Sequence, residues 1–173
     1  MYLKSIGCVL ILFSSVFLGY SFKLQTQRTL SAYENLLLCM QVFERDIRHS
    51  LNDILTITSQ VAGIATDANL LLFKTFLSKA EAADGKPLSA IWCDAVCECS
   101  GKWCYDKEDA DIFLEFGSIL GSGDVETQIK NINKFCDKVN ERTNHLKNKK
   151  LKSDEVFAKL GIYMGVLLII FLI

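Results

Sequence analysis

Four cysteines within twelve residues, Cys93, Cys97, Cys99 and Cys104, are the densest set of reactive side chains in this 173-residue sequence. Thiolates are preferred ligands of structural zinc, but C-x3-C-x-C-x4-C is not a common zinc-site spacing. Free thiols in a reducing compartment are the favoured reading and zinc the weaker alternative, with Cys39 and Cys136 packing as small hydrophobes. A second cluster is acidic: Asp106, Glu108, Asp109, Asp111 and Glu115. Paired acids can transfer protons, yet five acids at a helix start mostly suit the helix dipole and solvent. His49 and His145 lie in polar helical stretches and read as solvated. Phosphate-loop, H-E-x-x-H and G-x-S-x-G motifs are missing from the sequence, and these are the signatures that would signal such chemistry. The chain therefore reads as a non-enzyme, with no catalytic residue, no cofactor and no small-molecule substrate expected.

The elements that carry these residues are set by an uneven charge distribution. Hydrophobic residues make up 50% of the chain and charged residues 23%, which argues against disorder. The first 22 residues hold one charge, Lys4, and the last 14 hold none. A net charge of -1 lacks the basic surplus of a nucleic-acid binder. Ser5 to Phe22 would rise roughly 27 Å as a helix, close to the ~30 Å of a hydrocarbon core. Leu160 to Ile173 reaches only ~21 Å, and Val156 to Ala158 extend it if Lys159 snorkels. Gly161 and Gly165 form a small-xxx-small pair suited to close contact between membrane helices.

Three segments follow: a transmembrane helix over 1–22, a helical domain over 23–155 and a transmembrane helix over 156–173. Lys23 and Arg28 follow the first run, and Lys147, Lys149, Lys150, Lys152 and Lys159 precede or enter the second. Basic flanks stay cytoplasmic, so the middle domain is expected to face the cytoplasm. The competing reading is a secreted or surface-anchored binding domain. In it Gly19-Tyr20-Ser21 is a leader cleavage site and the clustered cysteines form disulfides.

Within the middle segment, periods near 3.6 predict an all-α bundle of about six helices. Tyr33, Leu37, Met40, Phe43 and Ile47 mark the first helix. Ser50-Leu51-Asn52-Asp53 resembles a capping box that starts the second, which stops near Gly63. Asp67 is expected to cap a third helix carrying Leu70, Leu71, Phe73, Phe76 and Leu77. Gly85-Lys86-Pro87 turns into a fourth over Ser89 to Cys99. Asp106 caps a fifth with Ile112, Phe113, Phe116 and Ile119, and Asp124 caps a sixth. On this last helix Val125, Ile129, Ile132, Cys136, Val139, Thr143 and Leu146 repeat every 3.5 residues, a seam that can bury itself against another long helix of the same domain, the favoured reading, or of a partner chain. Nothing breaks the sequence between Asp124 and Gly161, so this helix is expected to continue into the second apolar run.

Three strings carry a family resemblance. Phe116-Gly117-Ser118-Ile119-Leu120-Gly121-Ser122-Gly123-Asp124-Val125-Glu126-Thr127-Gln128 is similar to a Phe-Gly-x-x-Leu-Gly-x-x-Asp-x-x-x-Gln motif. Gly85-Lys86-Pro87-Leu88-Ser89-Ala90-Ile91-Trp92 is similar to a turn-helix ending in Trp. Leu160-Gly161-Ile162-Tyr163-Met164-Gly165 is similar to a terminal Leu-Gly-x-x-x-Gly run. Together they make the chain resemble the stage III sporulation protein AB family. Its Gly-x-Pro-Leu turn is here Arg48-His49-Ser50-Leu51, and the cysteine cluster is foreign to the pattern. The resemblance implies a platform in the secretion-like channel joining mother cell to forespore. The implied location is the mother cell's membrane around the forespore. The implied partners are other channel membrane proteins, the lipid bilayer and a cytoplasmic ATPase, with a helical domain similar to the platform protein of type II secretion and type IV pilus systems.

Overall fold

The computed structural model describes residues 2–49, 53–82, 85–121 and 123–172, with side chains placed over 24–49, 53–82, 85–118, 120–121 and 123–151. Six helices and no strand occur among the described residues: α1 (Tyr2–His49), α2 (Ile54–Ala62), α3 (Asp67–Ala82), α4 (Leu88–Cys99), α5 (Lys107–Ile119) and α6 (Val125–Leu172). Both α1 and α6 are 48 residues long and uninterrupted. No helix among the described residues is long and apolar enough to cross a membrane. The two apolar runs expected to do so, and Gly161 and Gly165 with them, lie outside the residues whose side chains are described.

The chain divides into two compact units, one of Met1–Arg28 with Asn144–Ile173 and the other of Thr29–Thr143. In the second unit the short helices pack in chain order, α2 on α3, α3 on α4 and α4 on α5. Its core takes Tyr33, Leu36, Met40, Phe43 and Ile47 from α1, Phe73 and Phe76 from α3, and Phe113 and Phe116 from α5. On α6, Ile129, Ile132, Phe135 and Val139 are buried. The heptad seam is thus covered within the chain from Ile129 onward, whereas Val125 at its start is exposed.

Two helix starts differ from the sequence expectation. The carboxylate of Asp53 accepts the amide of Thr56 at 2.9 Å, so Asp53 itself is the cap of α2, not the last residue of a box begun at Ser50. Asp67 opens α3 from inside, with φ of 45°. The cap position belongs to Thr66, whose carbonyl accepts the amides of Asn69 and Leu70 at 3.0 and 3.3 Å. The core face of α3 shifts accordingly: Ala68, Asn69 and Leu72 are buried, while Leu71 is exposed.

Asp124 caps α6 by accepting the amide of Thr127 at 3.0 Å, and that bond holds its carboxyl below the ordinary value of 3.8. A depressed carboxyl stabilises the fold above its unfolded pKa and loses that contribution as pH falls through the folded value. Asp124→Ala is therefore expected to lower the melting temperature at pH 7. Circular dichroism should show the gap from the parent closing as pH drops below 3.8; a gap independent of pH would contradict the cap's ionic character.

Candidate functional site

The Phe116–Gln128 string and Trp92 meet where α4, α5 and α6 converge. Pro87, with φ of -65°, precedes the first residue of α4, a conformation its ring pre-sets. One turn on, the Trp92 indole is buried between Phe73, Phe76 and Phe116, with ring centroids 6.2, 5.3 and 5.4 Å away. Its Nε1 donates to the Phe113 carbonyl at 2.8 Å. This satisfies the one polar atom of a ring that otherwise contributes apolar area.

Such an approach requires glycine at position 117. A Cβ there would stand 2.3 Å from Trp92 Cδ1. Phe116 stacks on Phe135 of α6 at 4.6 Å. Gly121 then takes a left-handed φ of 75°, which a side chain would oppose. Gln128 donates from Nε2 to the Gly123 carbonyl at 3.4 Å. Phe116, Leu120, Gly121 and Gln128 line a shallow notch with Phe43, Ile47, Asn131 and Ile132. Gly85 lies apart from this corner, in the turn before α4, at φ of 76°.

A second site escapes the sequence reading. Asp109, placed there with its neighbours as a solvated acid, is only 1% exposed. Its Oδ1 accepts Arg142 Nε at 2.6 Å, and its Oδ2 accepts the backbone amide of Asp106 at 2.8 Å. The remaining acids of the cluster do face solvent, as expected. Among them Glu108 and Asp106 reach the other Arg142 nitrogens at 3.0 and 3.6 Å, and Glu115 pairs with Lys138. Burial opposes the Arg142 charge, but the Asp109 bond and charge offset that and raise its pKa.

The Tyr33 hydroxyl is wholly buried and has no hydrogen-bond partner among the described residues. Burial, followed by the neighbouring Asp109 carboxylate, pushes its pKa well above the phenol range. Beside it a satisfied network crosses the core. Tyr105 donates to Asn69 Oδ1 at 2.7 Å, and Asn69 Nδ2 donates to the Ala32 carbonyl at 2.7 Å and to Asn35 Oδ1 at 3.0 Å. Asn35 also accepts the Thr66 amide at 3.0 Å and donates to the Ile64 carbonyl at 3.1 Å. A polar residue inside an apolar stripe, Asn69 among Ala68, Leu72 and Phe73, was the available sequence signal.

The four clustered cysteines differ in exposure. Cys97 is exposed, Cys93 and Cys104 are half-buried, and Cys99 is buried with its thiol 3.6 Å from the Thr75 hydroxyl. Among the described residues no group of three or more His, Cys, Asp or Glu is placed to hold a metal ion. Burial pushes the Cys39 and Cys136 thiols up to about 11, away from reactivity. His49 and His145 are exposed. What the arrangement does is fix helices against one another.

Two experiments test that role. Gly117→Ala must displace the Trp92 ring and is expected to cost about 1–3 kcal/mol, read by thermal unfolding together with a shift in tryptophan emission; an unchanged spectrum would refute the close approach. Arg142→Met strands the buried Asp109 carboxylate and should cost on the order of 3–5 kcal/mol, whereas Asp109→Leu leaves Arg142 with Glu108 and Asp106 and should cost less. The double variant should cost much less than their sum, and simple additivity in that cycle would show the pair to be uncoupled.

The family model described as Stage III sporulation protein AB (spore_III_AB) matches residues 4–173. A solved structure titled "Stage III sporulation protein AB (SpoIIIAB)" is similar in fold, with a TM-score of 0.59 and 17% identity over 76% of this chain and 97% of that chain. A search of curated protein sequences finds no match.

Proposed function

The chain belongs to the stage III sporulation protein AB family, and on that premise we propose that it is a non-catalytic membrane platform in the channel between mother cell and forespore. In this reading residues 1–22 and 156–173 anchor it in the outer forespore membrane. Thr29–Thr143 faces the mother-cell cytoplasm, where it docks a cytoplasmic ATPase and other channel membrane proteins. The observation that carries the reading is the extent of the family match. It takes in the helical body together with both apolar runs.

Lysine placement supports the orientation, because Lys147, Lys149, Lys150 and Lys152 precede the second run. Packing supports a holding role. The described groups with the strongest chemistry, Asp109 and Arg142, are engaged with each other.

Exposed Cys97 on α4 supplies a native probe of sidedness. A membrane-impermeant maleimide is expected to spare it in intact sporulating cells and to label it after permeabilisation. Tagged full-length chain should co-purify with a cytoplasmic ATPase and channel membrane proteins. Labelling from outside, or recovery of neither class of partner, would sink the platform reading.

A further inference from the structure

The described side chains of the first unit carry an excess of positive charge. Residues 23–28 and 144–153 contain Lys23, Arg28, Lys147, Lys149, Lys150 and Lys152 and no acid, before Asp154 and Glu155 follow. Both stretches belong to the same compact unit. Arg28, Lys147 and Lys149 are exposed. Two leucines stand among these cations in solvent, Leu24 at 39% exposure and Leu151 at 69%, the latter the most exposed large hydrophobic residue described.

We propose that this collar is a binding surface for anionic phospholipid headgroups, with Leu24 and Leu151 entering the interface between the cations. The inference rests on the reading that residues 5–22 and 156–173 enter a bilayer. Depth argues for it. At ~1.5 Å per helical residue, Leu151 sits about 7.5 Å before Val156, and Lys147 about 13.5 Å before it. The headgroup layer adds roughly 5–7 Å on each side of the hydrocarbon, and lysine stems extend further toward it. The cations thus lie within about one Debye length of the surface.

Charge without acid gives attraction to negative headgroups, and exposed leucines within and at the edge of the headgroup layer give apolar area to bury among them, the combination used by interfacial helices. An acidic protein segment would satisfy the lysines but would leave both leucines at a membrane surface unused.

The test uses full-length chain in phosphatidylcholine vesicles with and without phosphatidylglycerol, and spin-labelled lipids of both kinds to read which headgroup sits beside the protein. One lysine near an anionic surface corresponds to about a fivefold preference, so the parent is expected to favour phosphatidylglycerol by at least that factor. The preference should collapse at high salt. It should also fall toward unity in Lys147→Gln/Lys149→Gln/Lys150→Gln/Lys152→Gln, a variant whose helix content should be unchanged.

Equal association of both lipids with the parent, or an undiminished preference in the folded variant, overturns the proposal while the chain remains in the vesicles. A variant that keeps its lipid preference but loses protein partners assigns the collar to an acidic protein instead. A parent chain that alkaline washing strips from vesicles overturns the membrane reading, and the collar with it.

Discussion

The carboxylate of Asp109 sits where three elements must agree. One oxygen closes the first turn of α5 by accepting the Asp106 amide, and the other holds Arg142 of α6. Tyr33 of α1 lies beside them, where burial and then the Asp109 charge keep its phenol protonated. An ion pair buried this deeply is weak support for stability, because desolvating two charges offsets most of their attraction. Its strength is directional. A slip of one heptad along α6 keeps an apolar seam facing inward, but it carries Arg142 off the acid and leaves a charge in the core. A seam of aliphatic and aromatic residues such as Ile132, Phe135 and Val139 penalises that slip far less, since hydrophobic contact is non-directional. The pair therefore selects one register from several that the apolar seam would accept.

The opposite constraint operates at Trp92, where specificity comes from shape. Four aromatic rings and the missing Cβ of Gly117 let α4 and α5 approach until the indole donates to the Phe113 carbonyl. The ring contacts continue from Phe113 and Phe116 to Phe135, so the same cluster that joins the two short helices also seats them on α6. Asn69, Asn35 and Tyr105 complete the frame by tying α1 to α3 and to the loop before α5. These junctions thus each have a polar or steric feature that narrows the arrangement.

How much of this was legible follows from the kind of signal each residue gives. Periodicity located six helices, and local chemistry found the Asp124 cap, because a cap involves residues within one turn. The same local logic erred at Ser50 and Asp67, where several capping residues stand close together and only the hydrogen bonds show which one is used. Asp109 was unreadable for a different reason. Among five acids at a helix start, the buried one is set by which direction α6 approaches from, and Arg142 lies 33 residues away. Gly117 was visible within a motif, yet its purpose required knowing that Trp92 faces it.

The same constraints act on the two long helices. Between Tyr20 and His49, and again between Val125 and Leu160, α1 and α6 contain neither glycine nor proline, the residues at which helices most readily kink. A load applied along such a helix is carried through its backbone hydrogen-bond ladder to the first feature that opposes sliding. In α6 the directional feature of this kind is Arg142, held by Asp109 and reinforced by Glu108 at the surface. It lies two residues from the point where the body gives way to the other compact unit at Asn144. A directional bond does most there, because it meets displacement at the body's edge before Val139, Phe135 and Ile132 must repack.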